Sequence, residues 1–221
     1  MELTNRLINR IKNLSRTLSE KVRDLLFPKF CVDCKKEGDW LCENCRPVKA
    51  FFQEGQAIAN LDGVTNLFTY GENSVSKLIQ MFKYNYLLEI ADIFEKIISN
   101  TEFKNIWQDF VIIPVPLHAR RERERGFNQA EVLAKLFAKK LGLNINKNLD
   151  RVIYTAQQAK LSQEDRPLNL KDAFIFSDKV LPEKVLLVDD VYTTGATMQE
   201  CAKVLKDKGV KIVWGLVLAR G

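Results

Sequence analysis

The sequence predicts an α/β domain in which a parallel sheet carries helices on both faces. Two apolar runs, 110–114 and 185–188, have the length of strands and contain no charged residue, which is typical of strands buried on both sides. Segments with helical patterns alternate with such strands, and this alternation favours a parallel sheet between two layers of helices. We expect a long helix and a small cysteine-containing segment to precede this domain.

The strands of this domain are short apolar runs, and its helices are longer stretches with one apolar face. Strands are predicted at residues 67–70, 110–114, 151–154, 173–176, 185–188 and 210–219. Helices are predicted at residues 74–82 and 87–99, after residue 126 and after residue 197.

The composition is that of an ordinary soluble protein. The 221 residues are 46% hydrophobic and 28% charged, which excludes a disordered or collagen-like chain. No apolar stretch approaches the roughly 20 residues of a transmembrane helix. Charges are scattered through the first thirty residues, which excludes a secretory core there, so we expect a cytoplasmic protein.

The first 28 residues predict an amphipathic helix. Its apolar stripe steps by three or four residues and consists of Leu3, Leu7, Ile11, Leu14, Leu18, Val22 and Leu25. The opposite face is basic and polar, and Pro28 ends the helix. The favoured interpretation is a helix packed on the rest of the protein or on a second copy, and the alternative is a helix lying on an anionic lipid surface.

Residues 29–50 predict a small metal-binding ribbon. Two Cys-x-x-Cys pairs are separated by seven residues and place four thiolates within reach of one ion: Cys31, Cys34, Cys42 and Cys45. Zn²⁺ suits such a set, and four sulfur ligands leave no position for water, so the expected role is structural. The alternative is a pair of disulfides, which needs an oxidising compartment. Cys201 stands alone in a predicted helix, as a small buried hydrophobic residue.

The segment after the strand at 185–188 predicts a phosphate-binding turn. The carboxyl end of a central strand is where open α/β sheets bind ligands. Hydroxyl groups, free amides at a helix start and a glycine that lets the backbone close together form an anion cradle. The residues of this turn are Val191, Tyr192, Thr193, Thr194, Gly195, Ala196 and Thr197.

Two carboxylates, Asp189 and Asp190, lie directly before this turn. Acids beside a bound phosphate repel it unless they contact another part of the same ligand. A ribose diol donates hydrogen bonds to carboxylates, so the combination predicts a ribose 5-phosphate site, with Mg²⁺ nearby. The alternative is a simple helix-capping turn, since Asp and Thr are good helix starters.

The motif from Asp189 to Thr197 resembles the 5-phosphoribosyl 1-diphosphate (PRPP) motif of type I phosphoribosyltransferases. Together with the cysteine pairs, it makes the chain similar to the ComF family of competence proteins. Further matches are the Leu-Leu-Phe-Pro segment ending at residue 28, Phe82–Lys83–Tyr84, residues 114–129, and the spaced set Arg151, Thr155, Gln158, Leu161, Arg166, Asn169 and Phe174. The resemblance implies a type I phosphoribosyltransferase domain over 51–221 and a link to DNA uptake and transformation.

The loop after the strand at 110–114 holds the diphosphate of PRPP in this fold family. The resemblance therefore implies a diphosphate-binding role for Leu117, His118, Arg120, Arg121, Arg123 and Arg125. Guanidinium groups suit this role because they bind phosphate groups bidentately. The alternative is a solvated surface segment, or one helical turn, in which arginines pair with Glu122 and Glu124.

The polar segment between the strands at 151–154 and 173–176 resembles the mobile hood that excludes water in type I enzymes. The implied flexible-loop residues are Thr155, Gln158, Arg166 and Asn169. Arg166 is the candidate for reaching the diphosphate, and with Asp189 and Asp190 it forms the candidate catalytic set. The alternative is an ordinary surface loop.

Three functions remain open from the sequence. The first is a phosphoribosyltransferase with an unknown acceptor, in which diphosphate leaves the anomeric carbon through an oxocarbenium-like state. The second is a single-stranded-DNA-binding component of DNA import, and the third is a PRPP sensor without turnover. The net charge of +6 suits phosphate ligands in all three cases.

Overall fold

The computed structural model describes residues 25–26, 28–45, 57–71, 74–84, 89–103, 106–154, 172–178 and 180–221. The chain divides into two units, Met1–Arg46 and Pro47–Gly221. Most of the helix predicted for residues 1–28 lies outside the described residues. The flexible-loop candidates Thr155, Gln158, Arg166 and Asn169 also lie outside them.

The second unit contains seven strands and five helices within its described residues. The strands are β1 (Gly63–Thr69), β2 (Val111–Pro114), β3 (Asn144–Ile145), β4 (Leu149–Arg151), β5 (Phe174–Phe176), β6 (Lys184–Tyr192) and β7 (Ile212–Arg220). The helices are α1 (Ser74–Tyr84), α2 (Ile90–Asn100), α3 (Ala119–Arg125), α4 (Gln129–Leu141) and α5 (Ala196–Asp207).

Five strands form one parallel sheet in the order β1-β7-β6-β2-β3. β6 lies between β7 and β2, and β4 pairs with β5 as a separate antiparallel ribbon. Because neighbouring strands run the same way, their carboxyl ends meet at one edge of the sheet. The segments that follow β2 and β6 therefore meet at this edge, where open α/β sheets bind ligands.

Both faces of the sheet are covered. Residues 185–188 of β6 are 0% exposed, although successive side chains of a strand point to opposite faces. On one face Val185 and Leu187 share a core with Cys201 and Leu205 of α5. Helix α4 packs against β2 and β6, and α2 packs on α4. This arrangement confirms the predicted α/β architecture.

Four predicted elements differ from the structure. The strand predicted at 151–154 is β4, which covers Leu149–Arg151 instead, and the apolar residues at 152–154 lie beyond it and are exposed. The first strand begins at Gly63 rather than at residue 67, because the buried polar residues Thr65 and Asn66 interrupt the apolar pattern. β6 continues past the predicted end at residue 188 as far as Tyr192, since β7 pairs with it there. The predicted arginine loop is the short helix α3, which begins with a side-chain cap and ends at Gly126 in the left-handed conformation.

Within the described ranges, no helix combines the length and the apolar character needed to cross a bilayer.

Candidate functional site

The four cysteines of the first unit lie together. Their sulfur atoms are all within 4.8 Å of one another, and those of Cys34 and Cys42 are 3.5 Å apart. All four are free thiols rather than disulfides. This distance range is that of ligands sharing one tetrahedral ion, so the predicted convergence of Cys31, Cys34, Cys42 and Cys45 on a metal position is confirmed.

Backbone turns position these sulfurs. The Lys35 amide donates to the Cys31 carbonyl and the Cys31 amide donates to the Lys36 carbonyl, which folds the first Cys-x-x-Cys pair into a knuckle. Burial alone would raise the pKa of Cys31, but hydrogen bonds from the backbone of Cys42, Asp33 and Cys34 lower it to about 6. The site therefore favours one thiolate before any cation binds.

The second candidate site lies at the carboxyl end of β6. Asp189 and Asp190 are consecutive residues of the strand, so their side chains leave it on opposite faces of the sheet. Asp190 is 5% exposed and Asp189 is half-buried. The Asp190 amide donates to Oδ1 of Asp189 at 2.8 Å. A ligand that contacts both acids must therefore sit beyond the end of the strand.

The pKa of the Asp189 carboxyl is well above its ordinary value. Burial and the charge of Asp190 raise its pKa to about 7, although the charges of Lys83 and Arg125 oppose this rise. Such a carboxyl is protonated for part of the time at neutral pH. It is a hydrogen-bonding group whose charge depends on nearby cations, which is typical of functional sites.

A lysine on another element supplies a counter-charge. Nζ of Lys83, in the last turn of α1, lies 2.9 Å from Oδ1 of Asp190, and their side chains are 23% and 7% exposed. Burial lowers the pKa of Lys83, but the charge and hydrogen bond of Asp190 and the charge of Asp189 outweigh burial and raise it. Lys83 belongs to a segment that carries the family resemblance, yet the sequence did not place it in the site.

The turn after β6 is tightly built. Gly195 has a φ of 75°, and a Cβ atom there would lie 2.1 Å from the Tyr192 ring, so only glycine fits. The Tyr192 hydroxyl accepts a hydrogen bond from Gln199 at 3.0 Å. Thr193 and Thr194 are exposed. This geometry presents hydroxyl groups and the start of the twelve-residue helix α5 to solvent, as an anion cradle requires.

Three further residues of the predicted set have defined places around this turn. Val191 pairs with Ala219 of β7 and belongs to the sheet. Ala196 begins α5, and its amide lies 3.4 Å from the Thr194 hydroxyl. Thr197 is half-buried in the first turn of the same helix.

The arginine-rich segment is helix α3 rather than a loop. His118 caps it, because Nδ1 accepts a hydrogen bond from the Arg120 amide at 3.2 Å. Nε of Arg120 pairs with Glu124 at 2.9 Å, and its guanidinium lies 4.7 Å from the centre of the Tyr154 ring. Arg120 thus makes the pairing expected of a surface helix, and Arg123 is exposed as well.

The other two arginines of α3 are half-buried. Nη1 of Arg125 donates to Oε1 of Gln129 at 2.6 Å, and its charge lowers the pKa values of both Asp189 and Lys83. Arg121 lies close to Arg151: burial lowers the pKa of Arg151, and the charge of Arg121 lowers it further. Leu117, half-buried before the cap, is part of the link from β2 to α3.

The structure therefore brings together part of the predicted set and adds to it. Arg125 lies within electrostatic reach of Asp189, whereas Arg120 is engaged with Glu124 and Tyr154. Lys83 and Gln129 are the residues that the sequence missed. Gln129 is 2% exposed, and its Nε2 makes no hydrogen bond within the described part of the chain. Their only signal in the sequence is their place inside the segments that carry the resemblance.

Comparison with known proteins links the chain to competence proteins. A protein named Competence protein F from Haemophilus influenzae is 43% identical over 114 residues, which are 49% of this chain and 50% of that protein. A protein named Competence protein ComFC from Streptococcus pneumoniae is 26% identical over 190 residues, which are 86% and 80% of the two chains. The chain thus spans about half the length of the Haemophilus protein. These relatives confirm the resemblance seen in the sequence.

No protein-family model matches the chain. A solved structure of a hypoxanthine phosphoribosyltransferase from Staphylococcus aureus aligns with 65% of this chain and 64% of its own chain. Its sequence identity is 13% and the TM-score is 0.33.

The pKa of Asp189 predicts a pH-dependent stability. The folded protein holds the Asp189 proton up to about pH 7, whereas the unfolded chain releases it near the ordinary value of 3.8. The free energy of unfolding should therefore fall between these pH values, by up to about 4 kcal/mol from this group. Urea unfolding measured from pH 4 to pH 8 tests this.

Asp189→Asn removes the effect, so its stability should fall less over this range than that of the wild type. Asp207→Asn, at an exposed position of α5, is the matched control and should keep the wild-type dependence. An Asp189→Asn protein with the wild-type pH dependence would contradict the assignment.

Proposed function

We propose that this chain, a relative of the ComF-type competence proteins, binds a ribose 5-phosphate ligand of the PRPP type. The observation that carries the proposal is the arrangement at the end of the central strand β6. Two acids lie before a hydroxyl-rich turn, and Lys83 and Arg125 lie beside the acids. A ligand with sugar hydroxyls at one end and phosphate groups at the other matches this distribution of charge.

The turn is the proposed site for the 5-phosphate. Thr193 and Thr194 offer exposed hydroxyl donors, and the amides at the start of α5 point out of the helix with its positive dipole end. Gly195 lets the turn close against Tyr192, because a side chain at this position would collide with the Tyr192 ring. A phosphate here is separated from the acids by the length of the turn.

Asp189 and Asp190 are the proposed partners of the ribose hydroxyls. Hydroxyl groups donate well to carboxylates, and hydrogen bonds to an ionised acceptor are the stronger kind. Mg²⁺ would enter with the diphosphate of the ligand and neutralise part of its charge. The acids also favour a ligand whose sugar gains positive character as the diphosphate leaves.

Arginine side chains are the proposed diphosphate partners. Arg125 acts electrostatically on the acid site and is held by Gln129, and Arg121 lies on the same helix. Arg166, with Thr155, Gln158 and Asn169, is proposed to close over the ligand as the flexible loop. If the chain transfers the phosphoribosyl group, these cations stabilise the leaving diphosphate; if it senses PRPP, they supply affinity alone.

The metal proposed for the four cysteines is Zn²⁺ in a structural role. Four sulfur ligands suit this ion and fill its coordination sphere. Around the cluster the first unit has few buried apolar residues in its described part, such as Val32 and Leu41. A bound ion supplies the folding energy that such a small core does not.

A second function, binding of single-stranded DNA, is favoured by helix α3. Arg120 and Arg123 present exposed guanidinium groups, and Arg120 lies over the half-exposed ring of Tyr154. Cations beside an aromatic ring are the elements with which proteins hold single strands. The relatives' names connect them with competence, in which DNA is imported.

The ligand assignment predicts that the acids are needed for PRPP binding. Calorimetry with PRPP and Mg²⁺ should detect binding to the wild-type protein. Asp189→Asn/Asp190→Asn should weaken it at least about 100-fold, because two charge-assisted hydrogen bonds contribute roughly 1.5–3 kcal/mol each. Asp207→Asn removes one exposed carboxylate elsewhere on the domain and should leave the affinity unchanged. Wild-type affinity in a folded double variant would refute the assignment.

The metal assignment predicts about one Zn²⁺ for each wild-type chain. Cys31→Ser should lose the metal and unfold the first unit while the sheet domain stays folded, as metal analysis and heteronuclear NMR would show. Cys201→Ala removes the cysteine that lies outside the cluster and should retain the metal. Full zinc occupancy in purified Cys31→Ser protein would be incompatible with a four-sulfur site.

The DNA interpretation predicts a separate phenotype. Arg120→Gln/Arg123→Gln should weaken binding of a single-stranded oligonucleotide and reduce the slope of log affinity against log salt by about 1.4, at about 0.7 for each lost phosphate contact. PRPP binding should stay unchanged. Lys139→Gln/Lys140→Gln, at two exposed positions of α4, is the charge-matched control. An unchanged affinity and salt slope would remove α3 from the DNA site.

A further inference from the structure

The ion pair between Lys83 and Asp190 is the most buried of those in the described part of the chain. Its side chains are 23% and 7% exposed, compared with 76% and 38% for Lys139 and Glu95. The two residues are far apart in sequence, and Nζ lies 2.9 Å from the carboxylate oxygen. A contact of this kind has a fixed geometry, because little water competes for either partner.

The helical turn that carries Lys83 packs into the core. Its neighbour Phe82 is 0% exposed, and the Phe82 ring packs against the rings of Phe94 and Phe127 at centroid distances of 5.5 and 5.1 Å. The last turn of α1 is therefore anchored in the core. The ammonium group of Lys83 reaches the sheet edge from this anchored turn. Its ion pair with Asp190 holds that carboxylate in place.

The two acids consequently have different surroundings. Asp190 points to the face where Lys83 lies. Asp189 points to the opposite face, with Val185, Leu187 and α5, and it is more exposed than Asp190. The groups that act on its charge there come from several elements: Asp190, Lys83 and Arg125, together with Arg151 and Cys201, whose own pKa values respond to Asp189.

We propose that Lys83 is a positioning residue of the ligand site. It holds Asp190 in place at the start of the turn, so that Asp190 orients the site while Asp189 provides the more accessible carboxylate for a ligand hydroxyl. This inference rests on the proposed function. The sequence assigned ligand binding to both acids alike, whereas this inference assigns orientation of the site to Asp190 and contact with the ligand hydroxyl to Asp189.

Stability alone does not account for this pair. Taking two charges out of water costs about as much as their attraction returns, and well-packed apolar residues often serve a fold equally well. Here the pair lies at the carboxyl edge of the sheet, immediately before the turn proposed to bind phosphate. A buried pair at this position fixes a carboxylate in one orientation before the ligand arrives, which lowers the cost of ordering it on binding.

A double-mutant cycle tests the proposal by calorimetry with PRPP and Mg²⁺. Lys83→Met keeps the length of the side chain and removes its charge, and it should weaken binding about tenfold, as should Asp190→Asn. If Lys83 acts through Asp190, the double variant should bind no more weakly than the weaker single variant. Combining Lys83→Met with Asp189→Asn should instead bind more weakly than either single variant, because Asp189 contacts the ligand itself.

Two control variants separate positioning from general destabilisation. Lys83→Arg restores the cation and should bind within about threefold of the wild type, a rescue that is not expected if only the volume of the side chain matters. Lys139→Met removes an exposed lysine paired with Glu95 and should bind as the wild type does. If Lys83→Met does not fold, the PRPP affinity of Lys83→Arg tests the proposal in its place. A folded Lys83→Arg protein whose affinity is reduced more than tenfold overturns the proposal.

The remaining outcomes are equally decisive. Wild-type affinity in folded Lys83→Met overturns the positioning role and leaves the ligand assignment intact. Losses that multiply between Lys83→Met and Asp190→Asn also overturn it, because Lys83 would then act on the ligand independently of Asp190. A wild-type protein that binds no PRPP refutes the proposed function itself, and the positioning role with it.

Discussion

Two adjacent carboxylates at the end of a buried strand impose the main constraint on the second unit. β6 is fully buried over residues 185–188, and Asp189 and Asp190 follow at its carboxyl end. Charges in such a place need partners, because burial penalises the ionised form. Lys83 meets this need for Asp190 at 2.9 Å. Asp189 is balanced only in part, which is why its pKa rises to about 7.

The topology explains how the partners reach the acids. Every strand of the main sheet runs the same way, so the segments that follow β2 and β6 meet at one edge. α3 follows β2 and carries Arg125, which Gln129 at the start of α4 holds by a hydrogen bond. Lys83 lies on α1, which belongs to a separate part of the chain. One sheet edge thereby collects cations, acids and hydroxyl groups, which are the groups of the proposed ligand site.

The main feature of the first unit is its cluster of four cysteines. Its described residues include few buried apolar side chains, so among them a hydrophobic core contributes little stability. Instead, the two Cys-x-x-Cys pairs bring four sulfurs within 4.8 Å of one another. Thiolates this close repel each other unless a cation lies among them, and this arrangement is therefore suited to a metal ion.

The sequence by itself determined the features that are local in the chain. Three of these features can each be recognised from a short stretch of sequence: the apolar run at 185–188, the turn from Tyr192 to Thr197 and the spacing of the cysteines. It also predicted the parallel α/β class, because strands and helices alternate. It did not predict that the arginine segment is a helix, since Arg–Glu alternation is compatible with both a solvated loop and a turn of paired charges.

Only the tertiary structure decided how the site is assembled. In the sequence Asp189 and Asp190 are two equivalent neighbouring acids, whereas in the structure their side chains lie on opposite faces of β6. The sequence marks Lys83 only by its place inside a segment that carries the family resemblance, and the packing of α1 brings it to Asp190. Such contacts join residues about a hundred positions apart, and their geometry follows from strand order and helix packing, which no local pattern of residues specifies.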